Sequence, residues 1–247
     1  MASAPPFARL AAHPVRWRLL AALAGGDHRV RELVALTGEP QNLVSYHLRL
    51  LRDGGLVTAT RSSHDGRDTY YRLELDRCAA GLAETGAALH PALAPAVPTG
   101  AAGAPPASVL FVCTGNSTRS PIAEALLRHR TGGAVAVASA GTRPKPRLHP
   151  DTVRVLGERF GIDVAGRRPR HLDGVAHHRF DHVITLCDRA REVLPELPHR
   201  PRRAHWSIPD PAAPDGVPGA GYPRFERAAA EIDTRVRHLL PVLAAQP

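Results

Sequence analysis

Residues 108–130 read SVLFVCTGNSTRSPIAEALLRHR: an apolar run ending in Cys113, five small or polar residues, Arg119, and then an amphipathic stretch. The run Val109–Val112, with its β-branched residues, suits a buried parallel strand. Pro121 fits the first turn of a helix that starts near Arg119 or Ser120. Cys113 is therefore expected at the carboxyl end of a strand, with its loop wrapping toward a helix N-terminus. There, successive backbone N–H groups and the positive end of the helix dipole converge and make an anion site. The same field should favour thiolate over thiol, making Cys113 a nucleophile, with Arg119 holding a tetrahedral oxyanion bidentately before it. Thr114, Gly115, Asn116, Ser117 and Thr118 form the oxyanion-binding loop. Gly115 lets it turn tightly, Asn116 can fasten it by side-chain hydrogen bonds, and the Ser120 hydroxyl can donate to the sulfur. The plainer alternative is a buried cysteine followed by a polar loop, but the strand, the C-x5-R-S spacing and the helix agree on the first reading.

The 247 residues, 43% hydrophobic and 22% charged, describe an ordinary globular chain long enough for two modest domains. No apolar run approaches the ~20 residues that span a bilayer, and the first residues lack a basic start followed by an apolar stretch. A cytoplasmic protein with no membrane partner is expected. Cys78, Cys113 and Cys187 are too few and scattered for a secreted disulfide framework. The net charge of +9 is uneven: residues 1–85 hold 11 Arg and 9 acids, whereas 105–247 hold 20 Arg, one Lys and 14 acids. The basic excess thus sits with the anion loop, where it fits an anionic substrate or simply solvated arginine. Between them AALHPALAPAVPTGAAGAPPA, residues 87–107, has no charged residue and is dominated by Ala, Pro and Gly. The expected organisation is a first domain at 1–87, a linker at 88–105 and a second domain at 106–247.

In the first domain, HPVRWRLLAAL starts a helix at Pro14, and GGDHRVRELVALTG gives a break, a cap at Asp27 and a short helix ending at Gly38. EPQNLVSYHLRLLRDGGLV then places Leu43, Val44, Leu48 and Leu51 on one face, with Gln41, Asn42, Ser45, Tyr46, His47 and Arg49 on others. Two such helices joined by a tight turn suit a helix-turn-helix, and LVTATRSS and TYYRLEL, flanking an Asp-Gly turn, suit a wing. From LAAHPVRWRLLAAL through VSYHLRLLRDGGLV to YYRLEL, residues 7–80 resemble the ArsR family of winged-helix repressors. The resemblance implies a DNA operator as partner and a homodimer, since one winged helix reads a half-site. Arg49, Arg52, Arg61 and Arg67 would meet the DNA backbone, and Gln41, Asn42, Ser45, Tyr46 and His47 would offer hydrogen bonds to bases. A helical scaffold or dimerisation module is the alternative, kept open by a net charge of only +2 over 1–85. Many metal-sensing members carry Cys-Val-Cys where this chain has Arg29-Val30-Arg31, so no metal site is expected there. Cys78 could pair with His90 as ligands, but a lone buried cysteine is the better reading.

In the second domain, CTGNSTRS, ASAGT (138–142), LHPDTVRVLGERFGID (148–163), FDHVITLCDRAREVLPELP (180–198) and HWSIPDPAAPDG (205–216) resemble the low-molecular-weight protein tyrosine phosphatases and the arsenate reductases built on that fold. The resemblance implies a doubly wound parallel α/β sheet and assigns Asp210 as the general acid. Phosphatase and reductase chemistries begin alike at Cys113, and Cys187 discriminates them. In the similar reductases a cysteine after this strand attacks the first, while the plainer reading is a small apolar filler. Ala212 after the Asp-Pro pair, in place of an aromatic, leans toward arsenate; Leu194, where a third cysteine is expected, leans away. The reading reached is a regulator fused to a cysteine-dependent arsenate reductase. It would need an external thiol reductant, thioredoxin or a low-molecular-weight thiol, and no metal or organic cofactor. A phosphomonoesterase and a non-catalytic sensor of oxyanion or oxidation remain the alternatives.

Overall fold

The computed structural model describes residues 4–62, 67–90, 93, 107–213 and 221–244. Contacts divide the chain into two compact units, Met1–Gly100 and Ala101–Pro247. Of the expected linker, residues 88 and 89 lie in a helix, and 91–92 and 94–105 lie outside the described residues.

The first unit runs α1 (Pro6–Ala11), α2 (Pro14–Ala24), β1 (His28–Arg29), α3 (Val30–Thr37), α4 (Gln41–Asp53), β2 (Val57–Arg61), β3 (Thr69–Leu73) and α5 (Leu75–Leu89). Pro14 opens α2 as expected, with the His13 ring nitrogen accepting from the Val15 N–H. Asp27 does not cap α3: β1 intervenes, and the Glu32 carboxylate takes the Arg29 N–H instead. Gly38 ends α3 at φ 70°, where a glycine relieves the left-handed turn. Leu19, Leu33, Val44, Leu48 and Leu51 pack α2, α3 and α4 into one core. β2 and β3 pair antiparallel from Val57–Leu73 to Arg61–Thr69, and β1 adds a short third strand beside β3. The expected Asp65-Gly66 turn lies outside the described residues. Cys78 is buried beneath Leu56, and burial first, then Glu74, pushes its thiol up to about 11.

The second unit runs β4 (Ser108–Cys113), α6 (Arg119–Arg130), β5 (Ala136–Gly141), α7 (Pro150–Phe160), a 3-10 turn at Leu172–Gly174, β6 (His182–Thr185), α8 (Asp188–Val193), β7 (Arg202–His205) and α9 (Gly221–Ala244). The sheet is parallel throughout, in the order β5-β4-β6-β7. The chain leaves β4 toward β5 on one side and returns to β6 on the other, so the strand order reverses beside the carboxyl end of β4, where α/β sheets open a crevice. α8 was not anticipated, its six residues being too short for helical periodicity to register.

β5 ends against the loop that leaves β4. A Cβ on Gly141 would stand 2.7 Å from the Thr114 carbonyl oxygen and 3.0 Å from both Asn116 Cβ and Asn116 N. Only a bare Cα permits that approach. Gly141→Ala is expected to displace the loop and lower stability by about 1–3 kcal/mol, read as a shift of the urea midpoint.

Candidate functional site

Cys113 closes β4 with its sulfur buried, and the loop after it is held from outside by its own carbonyls. The backbone N–H groups of Thr142, Arg143, Lys145 and His149 donate to the carbonyls of Cys113, Thr114, Gly115 and Ser117 at 2.8–3.1 Å. Thr152 Oγ1 adds a second bond to the Ser117 carbonyl at 3.0 Å. With its acceptors turned outward, the loop has N–H groups left for the inside. Asn116 sits at φ 43°, the local reversal that makes a concave nest of amides, and its own N–H donates to the Cys113 sulfur at 3.3 Å.

The Asn116 side chain links the loop to three neighbours. Its Oδ1 accepts from the Arg170 backbone N–H at 2.7 Å, which fixes the amide, so Nδ2 donates to Ser120 Oγ at 2.9 Å and Ser139 Oγ at 2.8 Å. Ser120, already accepting, can direct its proton to the Cys113 sulfur 3.0 Å away or to the Ala140 carbonyl at 3.5 Å. Ser139 passes its own proton to Glu124 Oε2 at 2.6 Å. Glu124 is a buried carboxylate on α6, met by Arg128 at 2.9 Å, Arg167 at 2.7 Å and Arg170 at 3.2 Å.

Arg119 is buried at the start of α6. Nη1 donates to the Ile208 carbonyl and Nη2 to Asp210 Oδ2, each at 3.0 Å. Nε is buried with no hydrogen-bond partner among the described residues, a donor that an oxyanion oxygen would suit. Burial works against its charge, but Cys187, Cys113, Asp210 and Asp188 outweigh that and hold the guanidinium cationic. Thr114 Oγ1 lies 3.3 Å from the Cys187 sulfur, which brings the second cysteine next to the loop. Burial, opposed by Arg119 and reinforced by Cys113, pushes the Cys187 thiol above its ordinary range. Ser117 and Thr118 are buried in the loop, and the Thr118 carbonyl accepts the first N–H of α6 from Ile122.

Three residues beyond the expected set meet near the segment that carries Asp210. Asp188 Oδ1 accepts from Ser207 Oγ at 2.7 Å and lies 3.1 Å from His205 Nε2, while His205 Nδ1 lies 2.8 Å from Thr185 Oγ1. This buried group fastens the segment that carries Asp210 to the start of α8. Glu124 had a readable trace, a lone acid inside Ile-Ala-Glu-Ala-Leu-Leu; Asp188, His205 and Ser207 meet only through the fold.

On the first unit, Gln41, Asn42, Ser45, Tyr46, Arg49 and Arg52 are exposed along α4, and Arg61 and Arg67 are exposed on the wing. Asn42, Ser45, Tyr46, Arg49 and Arg52 line a hollow of about 280 Å³ with Tyr71 of β3, which the sequence reading did not include. His47 departs from the expectation: it is buried, its ring 4.3 Å from that of His13, because it sits one turn from both Val44 and Leu51 on the inner face. Burial, then His13 and Arg16, lowers its pKa and keeps it neutral. No group of three or more His, Cys, Asp or Glu side chains among the described residues could hold a metal ion.

Because Glu124 anchors Ser139 and, through it, Asn116, Glu124→Gln is expected to lower stability by about 2–3 kcal/mol. It should also weaken phosphate binding, with urea unfolding and titration calorimetry as the two readouts.

Residues 108–246 match the model of the low molecular weight phosphotyrosine protein phosphatases, and residues 13–59 match that of bacterial regulatory proteins of the arsR family. An arsenate reductase of Brevibacillus brevis is 35% identical over 130 residues, covering 53% of this chain and 91% of its own length. One from Bacillus licheniformis is also 35% identical over 130 residues, covering 53% and 92%. Among solved structures, an arsenate reductase from Archaeoglobus fulgidus is 33% identical, covers 54% of this chain and 98% of its own, and superposes with a TM-score of 0.45. With its parallel sheet and matched span of 108–246, this chain belongs to the low molecular weight phosphotyrosine protein phosphatase family, and carries an arsR-family helix-turn-helix ahead of that domain.

Proposed function

We propose that the second unit reduces arsenate to arsenite through Cys113 and Cys187, and that the first binds operator DNA as a dimer, the two joined by the segment 88–105. The observation that carries the enzymatic reading is the second sulfur: Cys187 meets the hydroxyl of Thr114, the residue next to the nucleophile. The names of the relatives favour arsenate over phosphate esters. The presence of free cysteines fits a reducing compartment, and no helix among the described residues is long and apolar enough to cross a membrane.

In this reading Arg119 and the loop amides hold arsenate, and the Cys113 sulfur attacks arsenic. An arsenate oxygen leaves as water, with Asp210 supplying a proton. The Cys187 thiolate then attacks the Cys113 sulfur. The electron pair of the S–As bond stays on arsenic, which departs as arsenite reduced by two electrons, while the two sulfurs are oxidised to a disulfide. Two equivalents of an external thiol return both cysteines to the reduced state. Leu194 packs against the core at the end of α8, where the similar reductases place the next sulfur, so the external thiol must act on the first disulfide directly.

A phosphatase is the second reading, favoured by the contact between Asp210 and Arg119, since a general acid and a clamped anion suffice for ester hydrolysis. For the first unit, the exposed groups of α4 and the hollow beside Tyr71 support DNA contact. The exposed Leu82 and Leu89 on α5 support dimerisation.

Purified protein given arsenate and a thiol is expected to form arsenite, with all turnover lost in Cys113→Ser and release blocked in Cys187→Ser. Retained aryl phosphate hydrolysis without arsenite would return the phosphatase reading. Because the Cys187 thiol is raised, its thiolate fraction grows with pH, so single-turnover arsenite release should quicken up to about tenfold per pH unit above pH 7. Rapid-quench measurement of arsenite checks this. Arg49→Ala and Arg52→Ala should each weaken duplex binding and reduce the slope of log K against log salt by about 0.9, as read by fluorescence anisotropy on the DNA upstream of its own coding sequence.

A further inference from the structure

Arg29 and Arg31, on either side of Val30, converge on one carboxylate of the wing. Arg29 Nη1 donates to Asp68 Oδ2 at 2.7 Å, and Arg31 Nη2 lies 3.4 Å from the same oxygen. The Arg29 side chain is 13% exposed; its Nη2 donates to Glu32 Oε1 at 3.0 Å, and its guanidinium carbon stands 5.5 Å from the centre of the Tyr70 ring. Burial works against the Arg29 charge, but Asp68 and Glu32 outweigh it and hold the side chain cationic. One planar fork thus joins the capping acid of α3 to the wing, a geometry that a point-charged ammonium does not copy. The place of this link matters. β1 pairs with β3 at His28–Tyr71 and Arg29–Tyr70, and α3 begins at the next residue, so the strand that ties the wing to the body ends level with Tyr70. Asp68 lies two residues further along the wing, where it is held by side chains, and its carbonyl accepts the Ser62 N–H at 2.8 Å across the hairpin. Two five-residue strands are a marginal structure by themselves, so the angle of the hairpin depends on such links.

We propose that Asp68 is a positioning residue for DNA binding: clasped by Arg29 and Arg31, it draws the returning arm of the wing onto the start of α3 and so sets where Arg61 and Arg67 stand toward the phosphate backbone. The inference rests on the reading that the first unit binds operator DNA. Arg61 and Arg67 are exposed on the two arms of the hairpin, and Arg67 is the chain neighbour of Asp68. A wing held at one angle offers both cations to the duplex together, whereas a loose wing must be ordered at the moment of binding, at a cost in affinity. The assignment makes a prediction opposite to that of charge alone. A carboxylate among DNA-facing arginines repels phosphate, so simple Coulombic reasoning expects its removal to tighten binding. As a latch, its removal weakens binding.

Two arms test this on the full chain. In the first, fluorescence anisotropy on the DNA upstream of its own coding sequence compares the unaltered chain with Asp68→Asn and Asp68→Glu. Asp68→Asn is expected to weaken binding about five- to tenfold, and Asp68→Glu, which keeps the charge, to recover part of the loss. In the second, hydrogen exchange without DNA is followed by mass spectrometry. Asp68→Asn is expected to speed exchange several-fold in peptides spanning 57–62 and 67–73 while those of α2 and α4 keep their rates, which separates a loosened wing from a general loss of stability. Binding that is unchanged or tighter in Asp68→Asn overturns the proposal, as does exchange that is unaltered in the wing or raised equally throughout the first unit. Absence of binding by the unaltered chain overturns the DNA-binding reading instead, and the exchange arm still decides whether Asp68 holds the wing.

Discussion

The site depends on hydrogen bonds made on the far side of the nucleophile loop. A loop that binds an anion through its amides must direct its carbonyls elsewhere, and buried carbonyls left without donors are costly. Here the segment leaving β5 supplies the donors, from Thr142 to His149, and so determines which way each peptide of the loop faces. Gly141 permits the close approach that makes these bonds possible. The anion site is in this sense a property of two adjacent strand ends rather than of the loop alone.

The same logic extends inward through side chains. Glu124 would be expensive to bury by itself, but Arg128, Arg167 and Arg170 surround it while Ser139 donates to it. It holds Ser139, which accepts from the same Asn116 amide that donates to Ser120 beside the Cys113 sulfur. Because the Arg170 backbone N–H anchors the Asn116 carbonyl oxygen, the Asn116 Nδ2 donates both ways, to Ser139 and to Ser120. Rigid donors aimed at a sulfur before any substrate arrives cost no rearrangement during the reaction.

What could be read from the amino acids followed from range. The strand, loop and helix around Cys113 were legible because three local signals, apolar run, fixed spacing and Pro121, agree within one stretch of chain. The helices of the first unit were legible from periodicity, yet His47 was placed outside although its spacing from Val44 and Leu51 puts it within the core; polarity was allowed to outweigh position. Arg167 and Arg170 reach Glu124 from more than 40 residues away, and Asp188, His205 and Ser207 are separated by two elements before they meet. Such contacts depend on strand order, which no local pattern contains.

The pairing of Arg119 with Asp210 has a consequence for selectivity among anions. A cation enclosed in a protein requires a counter-charge, and Asp210, 3.0 Å from Arg119, provides it. An arriving anion therefore does not meet a bare positive site; it competes with a carboxylate already in place. Ions that hold their charge diffusely and accept few hydrogen bonds are poor competitors, whereas a tetrahedral oxyanion can use Nε, Nη2 and the loop amides together. In the proposed reaction, an oxyanion that takes Arg119 from Asp210 frees the carboxyl group that is to supply the proton, so binding of the anion and release of the acid are one event.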